Sequence, residues 1–247
     1  MWLAKNSYSE FLHPVDAELS VLLLNAMDTA NIQVAEIGVW KGAWIATILK
    51  NNVRSSAIGI DPYPNSLNVK KVMEARLGSL GISERFAHFS KFDSIPAEVC
   101  FDVIHVDGLH TEDQVLTDLQ NSQSRLKESG VIILDDFRHA WFPGIQSALF
   151  QFLLSENYKI FMVSANKAYL ARPKRAKELW HYFRINRDSL KIGQLHENWT
   201  EFAANTNYVQ ESNVLGQSVL IASSVPSLRL VCRFIHKVPR YVKLLLP

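Results

Sequence analysis

Cysteine is scarce in this chain. Only Cys100 and Cys232 occur in 247 residues. Two cysteines so far apart exclude a disulfide scaffold and a cysteine-rich zinc module, and they suit a reducing, cytoplasmic setting. One-sided charge is lacking as well: 26 basic against 24 acidic residues leave a net charge of +2. That balance argues against a general nucleic-acid binder, which carries a larger basic excess. Residues 1–14 lack the basic start and apolar core of a signal peptide. The longest charge-free stretches are interrupted by Pro143 and Gly144 or are rich in Ser and Asn, so neither reads as a transmembrane span. No internal repeat or low-complexity run is present.

Alternation is what the sequence does have. Residues 14–28 show helical apolar spacing with Pro14 at the start. Apolar strands are expected at 32–37, 56–60, 85–89, 101–106 and 131–134, separated by helices over 42–50, 67–80, 111–127 and 145–154. Two further short strands, 158–163 and 168–170, are close enough to pair as a hairpin. This order predicts an α/β fold: a doubly wound, mostly parallel Rossmann-like sheet with helices on both faces and an antiparallel edge strand. The expected organisation is an N-terminal helical segment (1–30), a binding domain (31–172) and a helical or irregular C-terminal extension (173–247).

Ligands of such sheets bind at the carboxyl ends of the strands. Four acids stand there: Asp61, Asp107, Asp135 and Asp136 each follow an apolar strand. At the first strand, Glu36-Ile37-Gly38 runs through Gly42 into a helix, a turn whose glycines let the backbone approach a ligand. The third glycine of the dinucleotide fingerprint is missing. Asp61, ending the second strand, can accept hydrogen bonds from both hydroxyls of a ribose. Equally, the glycines can serve only the turn, and Asp61 only a helix cap. Asp107, Asp135 and Asp136 repel one another unless protonated or sharing a cation. An oxygen-rich group of this kind suits Mg²⁺, although acids in these places can also cap the helices that follow.

The order of these elements is specific. E-I-G-x-x-x-G, an acid after the second strand, F-D-V-I-H-V-D-G-x-H and then G-V-I-I-L-D-D-F, followed by Pro143-Gly144-Ile145, resembles a class I S-adenosylmethionine-dependent methyltransferase. The nearest likeness is to the macrocin-type sugar O-methyltransferases. The resemblance covers roughly residues 34–172. It implies S-adenosylmethionine as cofactor, bound by Glu36 (near the methionine amino group), Gly38, Gly42 and Asp61, with Ser90 at the adenine. It also implies a divalent metal, Mg²⁺, on Asp107, Asp135 and Asp136. Where that branch often has an acid and a tyrosine after Asp-Gly, this chain has Leu109-His110.

The implied reaction moves an activated methyl group onto a hydroxyl of a sugar or other small natural product, so alignment and deprotonation of the acceptor are the protein's tasks. Candidates for the base are His110, His139 and Asp107; His105, inside a strand, is expected to be a packed or hydrogen-bonded core residue. Trp141 and Phe142 can line an acceptor pocket or belong to the core, and Trp180, Tyr182 and Phe183 can form a lid. The alternatives are a nicotinamide-dependent oxidoreductase and a non-catalytic binding protein on the same fold.

Residues 212–247 contain no acid, and Arg229, Arg233, Lys237, Arg240 and Lys243 recur at three- and four-residue spacing, with Pro239 as a kink. This segment, 229–243, suits either peripheral contact with an anionic membrane or a surface helix packed on the domain or on a second subunit of a homo-oligomer.

Overall fold

A computed structural model describes residues 14–63, 67–164, 166–186, 209–214 and 217–222. The basic segment 229–243 and the first thirteen residues lie outside the described residues.

The elements begin with α1 (Pro14–Asn25), β1 (Ile32–Ile37), α2 (Ala43–Asn51), β2 (Ser55–Ile60), α3 (Leu67–Ser79) and β3 (Phe86–Phe89). Then follow β4 (Phe101–Val106), α4 (Glu112–Arg125), β5 (Leu126–Leu134), α5 (Pro143–Ser155), β6 (Lys159–Val163), β7 (Ala168–Ala171) and α6 (Pro173–Ile185). Strands β8 (Val209–Val214) and β9 (Gln217–Ala222) close the order. One sheet takes in all of them as β3-β2-β1-β4-β5-β7-β6-β9-β8. Strands β1 to β5 run parallel to one another, and β7 lies antiparallel to both β5 and β6.

Two features differ from the sequence expectation. The β6–β7 hairpin is not the edge of the sheet: β9 pairs in parallel with β6, and β8 pairs antiparallel with β9 outside it. The segment after residue 172 is therefore not only helical or irregular. Nor do Trp180 and Phe183 of α6 form a lid. Phe183 is fully buried in the core and Trp180 packs against it. The hairpin's strands offered hydrogen-bonding edges that local sequence patterns do not reveal.

Period-two alternation divides the residues of β1 and the carboxyl halves of β4 and β5 between two cores. Ile32 and Val34 of β1, Val103 of β4 and Val131 and Ile133 of β5 pack with α1, α2 and α6. Ala35, Ile37, Ile104, Val106, Ile132 and Leu134 pack on the opposite face with α4 and α5. Chain order reverses between β1 and β4, so the crevice at their carboxyl ends is the place for a ligand.

Candidate active site

Two loops meet in that crevice. The amide of Gly38 donates to the Ile60 carbonyl (2.8 Å) and the amide of Asp107 to the Ile37 carbonyl (2.8 Å), which extends the ladder past the strands. Gly38 has φ +83, and a Cβ there would stand 1.9 Å from the Asp107 carbonyl oxygen. Gly42 has φ +69 and precedes the first turn of α2. Both glycines are thus required by the backbone path. Between them Trp40 also takes a left-handed φ of 49 and is half-exposed.

Asp61 holds this turn in place. Its Oδ2 accepts the amides of Val39 (3.1 Å) and Trp40 (3.0 Å), and its Oδ1 accepts the amide of Tyr63 (2.9 Å). The Tyr63 hydroxyl donates to the Trp40 carbonyl at 2.8 Å. Asp61 therefore anchors the glycine turn, and its Oδ1 keeps a lone pair for a further donor. Ser90, at the end of β3, is exposed.

Glu36, one residue inside β1, is 2% exposed. Its Oε1 accepts from His105 Nδ1 at 3.0 Å. Its Oε2 is buried and has no hydrogen-bond partner among the described residues. Burial pushes the Glu36 carboxyl up to about 7, against the opposing pull of the His105 hydrogen bond. His105 is buried as expected and stacks on Trp44 of α2, with ring centroids 4.6 Å apart. Its Nε2 lies 2.9 Å from Lys167 Nζ. The ammonium donates there, so His105 carries its proton on Nδ1, toward Glu36.

Lys167 carries no signal in the sequence reading, yet it is 1% exposed and central. It sits just before β7 in the turn from β6 and donates to Asp135 Oδ2 as well as to His105. The register explains the pairing. Leu134 lies opposite Ala168 in the antiparallel ladder, so Asp135 and Lys167 are the next pair. Burial alone would raise the Asp135 carboxyl, but Lys167 and His105 hold it well below the usual carboxylate range.

Asp136 follows with φ 49. Its amide donates to Asp135 Oδ1 (2.7 Å), and Asn166 Nδ2 donates to both acids, at 3.1 Å to Asp135 Oδ1. His110 bridges the neighbouring loops, with Nε2 3.4 Å from Asp107 Oδ1 and Nδ1 3.5 Å from Asp136 Oδ2. The Asp107 contact outweighs partial burial and raises the His110 pKa. Asp107 itself is pushed up by burial and by the Asp135 charge. The Phe142 ring lies against both His110 (4.4 Å) and His139 (4.7 Å, stacked). The Trp141 amide is 3.3 Å from His139 Nδ1, its acceptor. Trp141 is 83% exposed and Leu109 is 64% exposed.

The structure thus brings together Glu36, Gly38, Asp61, Asp107, His110, Asp135 and Asp136, with His139 one ring further out. The buried, unpartnered Glu36 Oε2 beside a glycine turn suits a cofactor's ammonium group. The set expected to hold Mg²⁺ is arranged differently. Oδ1 of Asp135, Oδ2 of Asp135 and Oδ1 of Asp136 already face N–H donors from Asp136, Asn166 and Lys167. Ligand atoms of Glu36, His105 and Asp107 lie within 4.8 Å of one another, but both His105 nitrogens are engaged. A divalent ion needs free oxygens rather than an ammonium among its ligands, so neither donor set fits one as placed.

Residues 35–137 match the family described as "Methyltransferase domain". No curated protein matches the chain in sequence. Among solved structures, the O-methyltransferase TomG from Streptomyces achromogenes, involved in tomaymycin synthesis and solved with SAM, is 12% identical with a TM-score of 0.53. The match covers 67% of this chain and 84% of that one. An O-methyltransferase from Bacillus cereus, solved with SAH, matches at 12% identity and TM-score 0.53, with the same 67% and 84% coverage. What these neighbours share with the chain is the fold. The family match is confined to residues 35–137 of the 247, within the α/β sheet that the neighbours share. Among the described residues, no helix is long and apolar enough to cross a membrane.

Proposed function

We propose that this chain transfers a methyl group from S-adenosylmethionine to a hydroxyl of a small acceptor, a sugar or another natural product. The observation that carries the reading is Glu36 Oε2, buried without a partner beside the Gly38 turn. A buried acceptor atom without a donor costs free energy, and a ligand ammonium relieves that cost. Glu36 would hold the methionine end of the cofactor and Asp61 its ribose. When bound, the cofactor supplies a methyl already activated by the sulfonium.

The chain's own residues hold the acceptor and take its proton. Both ring nitrogens of His110 lie beside carboxylates, so a neutral His110 would donate to one of Asp107 and Asp136 and take the hydroxyl proton on its other nitrogen once the acceptor displaces the second carboxylate contact. The carboxylates then stabilise the imidazolium that forms. Asp107 alone and His139 are weaker candidates: Asp107 is held by His110, and His139 Nδ1 already accepts the Trp141 amide. Leu109, Trp141 and Phe142 surround His110 with apolar surface on which the CH face of a sugar or an aromatic ring can lie. A cytoplasmic setting accords with the exposed free thiol of Cys100.

Calorimetric titration with S-adenosylhomocysteine, and separately with NAD, tests the reading. Micromolar binding of S-adenosylhomocysteine that is lost in Glu36→Ala is the expected result. Binding of NAD in its place would sink it.

A further inference from the structure

We propose that the Lys167 ammonium is the resident cation of the acid rim, standing where a divalent metal would otherwise be needed, so that this chain orders its acceptor site without a metal. The inference rests on the methyltransferase reading above and deepens it.

Four carboxylates, Glu36, Asp107, Asp135 and Asp136, converge at the ends of β1, β4 and β5. Carboxylates brought together in this way are either protonated or share a cation. Lys167 supplies one from inside the protein, at 1% exposure, with its Nζ on Asp135 and 2.9 Å from His105 Nε2. Its place is determined by the β5–β7 register rather than by a flexible surface chain. The neighbouring Asn166 closes the same two acids with its amide, at 3.1 Å from Asp135 Oδ1 and in contact with Asp136 Oδ1. Both oxygens of Asp135 and Oδ1 of Asp136 therefore face N–H donors from one turn.

Lys167 is a positioning residue in this scheme. It holds Asp135, whose Oδ1 in turn receives the Asp136 amide at 2.7 Å. That bond helps to hold the left-handed backbone of Asp136 and so places Asp136 Oδ2 beside His110. On its other side it orders His105, and through His105 the Glu36 carboxylate.

The test is a Mn²⁺ titration of the full chain with S-adenosylhomocysteine bound, free ion being read from its paramagnetic resonance signal. The wild-type protein is expected to leave the signal undiminished into the millimolar range. Lys167→Ala removes the ammonium from Asp135 and is expected to bind one equivalent of Mn²⁺ about tenfold or more tightly than the wild type does. A merely structural lysine would not give that gain. One equivalent of Mn²⁺ on the wild-type protein, lost in Asp136→Asn, would overturn the proposal. So would a folded Lys167→Ala that binds Mn²⁺ no better than the wild type. Should Lys167→Ala fail to fold, the wild-type and Asp136→Asn titrations decide alone. Failure of the wild type to bind S-adenosylhomocysteine would instead count against the methyltransferase reading, and the Mn²⁺ titrations stay interpretable without it.

Discussion

The missing side chain of Gly38 is what lets it lie against Asp107: a Cβ there would stand 1.9 Å from the Asp107 carbonyl oxygen. The loops that follow β1 and β4, which carry the cofactor and base candidates respectively, touch backbone to backbone at this point. Gly38→Ala must therefore move one loop and also adopt a φ of +83. It is expected to cost about 2 kcal/mol or more and to abolish S-adenosylhomocysteine binding. Gly81→Ala is the control. Its φ is +66 but nothing lies within 4 Å of the new Cβ, so only the backbone cost of about 1 kcal/mol applies, with binding unchanged. Thermal melting and calorimetry check both.

Glu36 makes cofactor affinity depend on pH. Its carboxyl titrates at about 7 in the native chain, against 4.5 for an ordinary glutamate. Below 7 it is neutral and attracts an ammonium weakly; above 7 it is charged. Binding of S-adenosylhomocysteine is expected to tighten by about tenfold from pH 6 to pH 8, with proton release on binding. Calorimetry in buffers of different ionisation enthalpy measures both. Stability of the free protein runs the opposite way. A raised native pKa favours the protonated native state, so that contribution is full below pH 4.5 and is lost as pH rises through 7. Glu36→Gln keeps an acceptor for His105 and should flatten both trends.

Asp61→Ala removes the acceptor for the amides of Val39, Trp40 and Tyr63. A charge-assisted bond of this kind is worth about 1.5–3 kcal/mol. The expected outcome is a loosened glycine turn and S-adenosylhomocysteine binding weakened by at least about tenfold, with the fold retained by circular dichroism. Asp61→Asn, which keeps one oxygen, should fall between wild type and alanine.

His110→Ala is expected to lower kcat on an identified acceptor by about 10²–10⁴ while leaving S-adenosylhomocysteine affinity unchanged. In the wild-type protein the acidic limb of the kcat profile should titrate above 6.5, because the Asp107 contact stabilises the protonated ring. His139→Ala should cost far less. A wild-type activity that survives His110→Ala intact would remove it from the base role.

Removing one member of the buried Lys167–Asp135 pair leaves the other charge uncompensated. Asp135→Ala is expected to destabilise the chain by about 3–5 kcal/mol, and a Lys167→Met/Asp135→Leu double variant by less than either single change. Denaturant unfolding of Asp135→Ala, Lys167→Met, Asp135→Leu and the double variant gives the comparison.

The reading of Ile32–Ile37, Phe101–Val106 and Val131–Leu134 as apolar strands, each ending in a turn or an acid, held in the fold. These are local properties: apolar runs bounded by glycine and aspartate state their own period and their own ends. The same locality explains why Gly38, Asp61, Asp107 and His110 could be named as neighbours, since every parallel strand delivers its carboxyl end to one rim. The partner of Asp135 could not be read in that way. Lys167 lies 32 residues further on, in a short turn with no pattern of its own. Only the antiparallel pairing of β5 with β7 puts it opposite the acid. The placement of β8 and β9 beyond β6, and of Phe183 in the core, depended likewise on edges and cavities made by distant segments. The chain alone therefore determined where the acids stand, because periodicity and turns are short-range. The tertiary structure decided what neutralises them, because a buried charge is balanced by whichever group the sheet register carries to it.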